Sequence, residues 1–196
     1  MRRAILPQWL SRLARLAALW LCVLCAPGAR AQGVELHALE LAQVEGALTL
    51  EFSARLTLSR ALEDALRRGV PMYFEVEATL FRSRWYWRDE RVARVSRSYR
   101  LSYQPLTANW RVGLGGLAQS YASLSEALAV ISRVGGWRLA DAAQIEPDQR
   151  YYVEFSYRLD NSQLPRPMQI GLGSDWSLGI ERTLRLGEKA VEAARK

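Results

Sequence analysis

The chain has 196 residues, with 27 Lys+Arg against 20 Asp+Glu for a formal charge of +7, but only two cysteines and one histidine. So few soft ligands leave no set of paired cysteines or histidines for a zinc centre and, with both cysteines at positions 22 and 25, no disulfide framework. The positive charge is uneven: five of the 27 cations precede Gln32, and from there on 22 cations meet 20 acids, a net of +2. A strongly basic nucleic-acid-binding surface is therefore not expected.

Residues 1–31 read as a secretory signal peptide. Arg2, Arg3, Arg12 and Arg15 form a positive leader, Leu16 to Ala26 an apolar run, and Ala29-Arg30-Ala31 a small-residue cleavage site. Eleven apolar residues are too few to span a bilayer, which takes about 20. Cleavage after Ala31 predicts a periplasmic, cysteine-free chain with no transmembrane span.

From residue 32 on, period-two alternation dominates, the mark of antiparallel strands with one wet and one buried face. The first strand covers 34–41, where Leu36 and Ala38 give way to Leu39 and Leu41, a phase slip that predicts a bulge near Ala38. In 48–58, Leu48, Leu50, Phe52, Ala54, Leu56 and Leu58 share the buried face. "SRALEDALRRG" is a short helix with Ser59 as N-cap and Gly69 as stop.

Two long strands follow, 71–87 and 91–104, joined at "RDE" by a tight connection of two or four residues. Their apolar faces coincide only if paired residue numbers sum to an odd value, which sets Val76 opposite Leu101 or Tyr103. Glu75 and Glu77 then share the polar face with Arg94 and Arg100. A strand at 108–114 exits through "GLGGLA", which matches a dinucleotide-binding fingerprint only loosely and lacks its βαβ setting. "SLSEALAVISRVGG" opens with a capping box, Ser123 and Glu126, and stops at Gly135-Gly136. Strands at 151–159 and 176–186 complete the set. The fold class is all-β: an immunoglobulin-like antiparallel sandwich of about seven strands with two short helical insertions, as one domain over 32–187 and a short tail over 188–196.

The densest chemistry lies in "RSRWYWRDERVARVSRSYR", residues 82–100, which holds seven arginines and four aromatic residues. Arg94 and Arg100 are balanced by glutamates across the sheet, leaving Arg82, Arg84, Arg88 and Arg91 around Trp85, Tyr86 and Trp87. These seven are the candidate partner-binding residues. Either they contact a partner or anionic surface, or the tryptophans extend the core to the end of the hairpin. No catalytic residue, metal site or cofactor is expected: His37 is the one histidine, and G-x-S-x-G, HExxH and Walker patterns are missing. The alternative to a binding module is a hydrolase working through a pair of carboxylates.

Five stretches together resemble the domain-of-unknown-function 4390 family of proteobacterial secreted proteins: "ALRRGVPMYFEVEATLFRSRWYWRDERVA", "YRLSYQPLTANWRV", "SLSEAL", "YYVEFSYRLDNSQLPRPMQI" and "SDWSL". The resemblance supplies no catalytic residues. It implies a signal peptide and, since such genes often neighbour a membrane sensor histidine kinase, a link to envelope sensing. The expected partner is an envelope or inner-membrane protein, met through the hairpin tip or the loop "DNSQLPRP", and not nucleic acid.

Overall fold

The structure is a computed structural model that describes residues 33–164 and 176–187. The predicted signal peptide, the tail over 188–196 and the part of "DNSQLPRP" from Pro165 on lie outside the described residues.

Nine antiparallel strands form two sheets among the described residues, two more than the sequence predicts. A three-stranded sheet runs β1 (Gly33–Val44), β2 (Ala47–Thr57), β7 (Arg133–Asp141). The six-stranded sheet is ordered β6 (Leu117–Tyr121), β5 (Asn109–Leu114), β4 (Glu90–Gln104), β3 (Met72–Arg82), β8 (Tyr151–Leu159), β9 (Gly179–Arg185). Two eight-residue helices, α1 (Arg60–Arg67) and α2 (Leu124–Ile131), carry the chain between sheets. Ser59 caps α1 by accepting the Leu62 N–H, and Leu62, Ala65 and Leu66 are its buried face. In α2, Ser123 accepts from the Glu126 N–H, while the Glu126 carboxylate accepts from Ala122 rather than from Ser123.

The buried stripes are those that alternation sets out. Met72, Phe74, Val76, Ala78 and Leu80 line the inner face of β3, with Val153, Phe155 and Tyr157 beside them on β8 and Leu48, Leu50 and Phe52 facing them from β2. Phe52 meets Phe155 at 5.1 Å and Tyr157 at 6.0 Å between ring centroids, which joins the sheets into one core. The predicted bulge is present. Pairing shifts between Leu36 and Ala38, leaving His37 as the extra residue, exposed.

Three expectations are corrected. The first concerns the hairpin: as far as Leu80 its pairs sum to an odd value, as required, but Val76 lies opposite Arg97 and Leu101 opposite Met72. Arg97 thus sits on the core-facing side, where its guanidinium covers the ring of buried Trp137 at 5.0 Å. Second, β3 stops at Arg82 and β4 starts at Glu90, so the connection is seven residues long, after a register shift at Leu80/Phe81. Third, β6 and β7 replace a loose exit and a helix end. Gly115 and Gly116, at φ +55° and +87°, make the two-residue turn of a β5–β6 hairpin. α2 ends at Ile131, and Gly136, at φ +59°, forms a bulge inside β7 rather than a helix stop.

Candidate functional site

The hairpin tip begins where β3 and β4 separate, and its base is fastened on both sides. The Ser83 N–H donates to the Arg150 carbonyl at 2.8 Å, tying the loop to the start of β8. One carboxylate oxygen of Asp89 accepts the Arg84 N–H at 3.0 Å and the other accepts the Tyr152 hydroxyl at 2.7 Å. Glu90 receives the guanidinium groups of both Arg82 and Arg84, and Arg82 reaches on to Glu146 at 2.5 Å. Beneath these, Phe81 and Tyr152 stack at 5.3 Å on the outer face of the large sheet.

Above this base the aromatic residues stand in solvent. Trp85 is 94% exposed, Tyr86 66% and Trp87 74%. Trp85 and Tyr86 touch edge to face at 5.1 Å, and Phe81, at the end of β3, is the last ring packed on the sheet. The tryptophans therefore do not extend the core. Nor do Trp85 and Trp87 share a strand face, because the strand has already ended. Arg88 and Arg91 are exposed and form no ion pair among the described residues. The seven candidates thus divide: Arg82 and Arg84 hold the loop, whereas Trp85, Tyr86, Trp87, Arg88 and Arg91 are presented by it. Tyr152 and Glu146, which sequence reasoning left out, complete the base. Alternation puts Tyr152 on the outer face, but nothing local to it points 63 residues back to Asp89.

The electrostatics follow from these bonds. The Arg84 N–H, followed by the Tyr152 hydroxyl, holds the Asp89 carboxyl below its ordinary value, and Arg82 does the same for Glu90. Burial, reinforced by Asp89, pushes Tyr152 up to about 12. A lowered carboxylate stabilises fully above its ordinary value and loses that contribution as pH falls through its lowered one; a raised tyrosine loses its contribution as pH rises through the raised value. The tip should therefore keep one conformation from the ordinary carboxylate values of 3.8 and 4.5 up to 10, and loosen below the first range and toward about 12. Tryptophan fluorescence anisotropy followed across pH measures this, and Tyr152→Phe should remove the alkaline limb.

Elsewhere the outer face of the large sheet carries two polar grooves. One, of about 430 Å³, is lined by Tyr73, Ser98, Arg100, Ser102 and Arg111 among others. The second, of about 550 Å³, includes Glu77, Glu154 and Glu181. Glu77 is engaged by Arg94 at 2.6 Å, and that hydrogen bond holds its carboxyl below its ordinary value. Among the described residues, the carboxylates with a displaced pKa (Glu77, Asp89, Glu90 and Asp160) are all displaced downward, the reverse of what a general acid needs. Among the described residues no three His, Cys, Asp or Glu side chains converge as a metal site would require.

A family model described as "Domain of unknown function (DUF4390)" matches residues 31–185, most of the chain. The chain belongs to the DUF4390 family. No curated protein and no solved structure matches it. The DUF4390 span takes in every described strand and the whole tip, residues 82–91, so the tip lies within the family's own domain. Since the description assigns no activity, what the DUF4390 domain does has to be argued from the tip itself.

Proposed function

We propose that this DUF4390 protein is a periplasmic interaction module, exported behind a cleaved leader and linked to envelope sensing, that meets its target through the hairpin tip. Its scaffold is read as a variant of the immunoglobulin-like sandwich, with sheets of three and six strands over one core. One observation carries the functional reading: three solvent-exposed aromatic rings beside two arginines with no ion pair among the described residues, raised on a base that five hydrogen-bonded or ion-paired residues (Arg82, Arg84, Asp89, Glu90 and Tyr152) hold fixed. Trp, Tyr and Arg are the residues over-represented among binding hot spots, and a rigid base lowers the entropy lost when such a loop is immobilised. A carboxylate hydrolase draws less support, since Glu77, one of the three glutamates in the second groove, is held in an ion pair.

Trp85→Ala gives the decisive contrast. With 94% of the residue in water, its loss should leave the melting temperature unchanged. Truncation of a binding hot spot costs ~2 kcal/mol or more, so retention of the protein on isolated envelope membranes should fall by roughly 30-fold. Unchanged retention on those membranes would remove the tip from the function.

A further inference from the structure

The tip has a second tier. The register places Arg91, Phe81, Tyr152 and Arg185 in one row across four adjacent strands, on the outer face. The stacked Phe81 and Tyr152 rings thus lie between two arginines. Arg150, whose carbonyl anchors the loop, lines with Arg185 and Ser83 a ledge of about 690 Å³ beside this row. Arg88, Arg91, Arg150 and Arg185 are all exposed and none forms an ion pair among the described residues. The acids around them are occupied: Asp89 by Arg84 and Tyr152, Glu90 by Arg82 and Arg84, Glu146 by Arg82. Asp148 on the neighbouring turn and Glu154, two residues along β8 from Tyr152 on the same face, are the exposed exceptions.

We propose that this end of the sandwich docks on an anionic phospholipid bilayer, the aromatic residues entering the headgroup region and the arginine collar holding lipid phosphates. The inference rests on the tip being the contact surface and names what it contacts. Two arguments favour a bilayer over a protein. Trp and Tyr rings concentrate at the membrane–water interface, where an apolar body and a polar edge are both satisfied. The charge balance is positive, four cations with no ion pair among the described residues against the two exposed acids Asp148 and Glu154, as an anionic surface requires. A protein interface more often buries its aromatic anchors centrally, inside a rim of near-neutral contacts.

Phosphatidylcholine vesicles with and without phosphatidylglycerol, sedimented with the protein as purified from the producing cell, provide the test. Residues 1–31, if retained, are common to wild type and variants, so differences between them report the tip. The protein should sediment with the phosphatidylglycerol vesicles, less with the neutral ones, and be released by salt. Arg88→Gln and Arg91→Gln should each weaken binding about fivefold, the worth of one basic residue at such a surface. Trp85→Ala with Trp87→Ala should abolish quenching of tryptophan fluorescence by brominated lipid, with the melting temperature unchanged. Absence of sedimentation, equal sedimentation with neutral vesicles, or binding undiminished in the tip variants would each overturn the proposal. If pure lipid fails while envelope membranes still retain wild type and lose Trp85→Ala, the target is an envelope protein: the lipid proposal falls and the functional reading survives. If both retentions are absent, both fall.

Discussion

Leu101→Asp is expected to unfold the protein, and Val76→Asp to be the milder of the two although both positions are fully buried. Leu101 is flanked across β4 by Met72 on one side and Val112 on the other, so a carboxylate there has no cation within the sheet. An unpaired buried charge together with a lost leucine costs about 4–5 kcal/mol or more, a large part of the roughly 5–15 kcal/mol that keeps a domain folded. Val76 instead lies opposite Arg97. An aspartate at 76 can draw that guanidinium from the Trp137 ring, giving up a contact worth about 0.5–2 kcal/mol to gain an ion pair. Urea unfolding should place Val76→Asp about 1–3 kcal/mol above Leu101→Asp, that being the order of the gain from pairing a buried charge less the cation–π contact. On the outer face Glu77→Gln breaks a half-exposed pair with Arg94 and should cost under ~1 kcal/mol. Equal loss at 76 and 101 would mean that the two strands pair in a different register.

The same hairpin shows how far the residues alone could be read. Alternation fixes which side of a strand is buried, so the inner stripes of β2, β3 and β8 were legible, as was the parity of the β3–β4 pairing. It does not fix the sum itself, because a shift of two residues leaves every face unchanged. The bulge at Leu80/Phe81 and the seven-residue connection are set by what the tip bonds to, above all Tyr152 and Arg150, both more than sixty residues away. Arg97 was hidden for a related reason: an arginine at an inward position makes sense only once Trp137, on the other sheet, supplies its partner. β6 escaped because it is an edge strand of five residues with four of them exposed, so it has no alternation to show. In β7 two glycines look like a terminator when they in fact form a bulge. For the candidate site, composition singled out the loop and its aromatic residues, which the structure leaves exposed. It could not separate Arg82 and Arg84, which fasten the loop, from Arg88 and Arg91, which form no ion pair among the described residues, since that division depends on where Glu90 and Glu146 fall in space.

Phe52→Ala tests the packing of one sheet on the other and should lower stability by ~3–5 kcal/mol, the range for removing a buried aromatic ring. Phe52 is fully buried on β2 and is the ring through which the three-stranded sheet meets Phe155 and Tyr157 of the six-stranded one. Its loss removes apolar area and leaves a void that those rings cannot fill. Phe155 is fixed by the inner face of β8, while Tyr157 is anchored at its far end, its hydroxyl donating to the Ile131 carbonyl at 3.1 Å. Collapse toward the cavity would break that buried bond, which links the strand to the end of α2, so relaxation should recover little of the cost. Phe52→Leu, which refills most of the space, should recover about half or more of the loss. The tip, at the far end of β3 and β4, should be indifferent to both changes. In the surviving folded population, the brominated-lipid quenching of Trp85 and Trp87 should match wild type, whereas a loss that tracks stability would mean that the tip is not the independent surface its base describes.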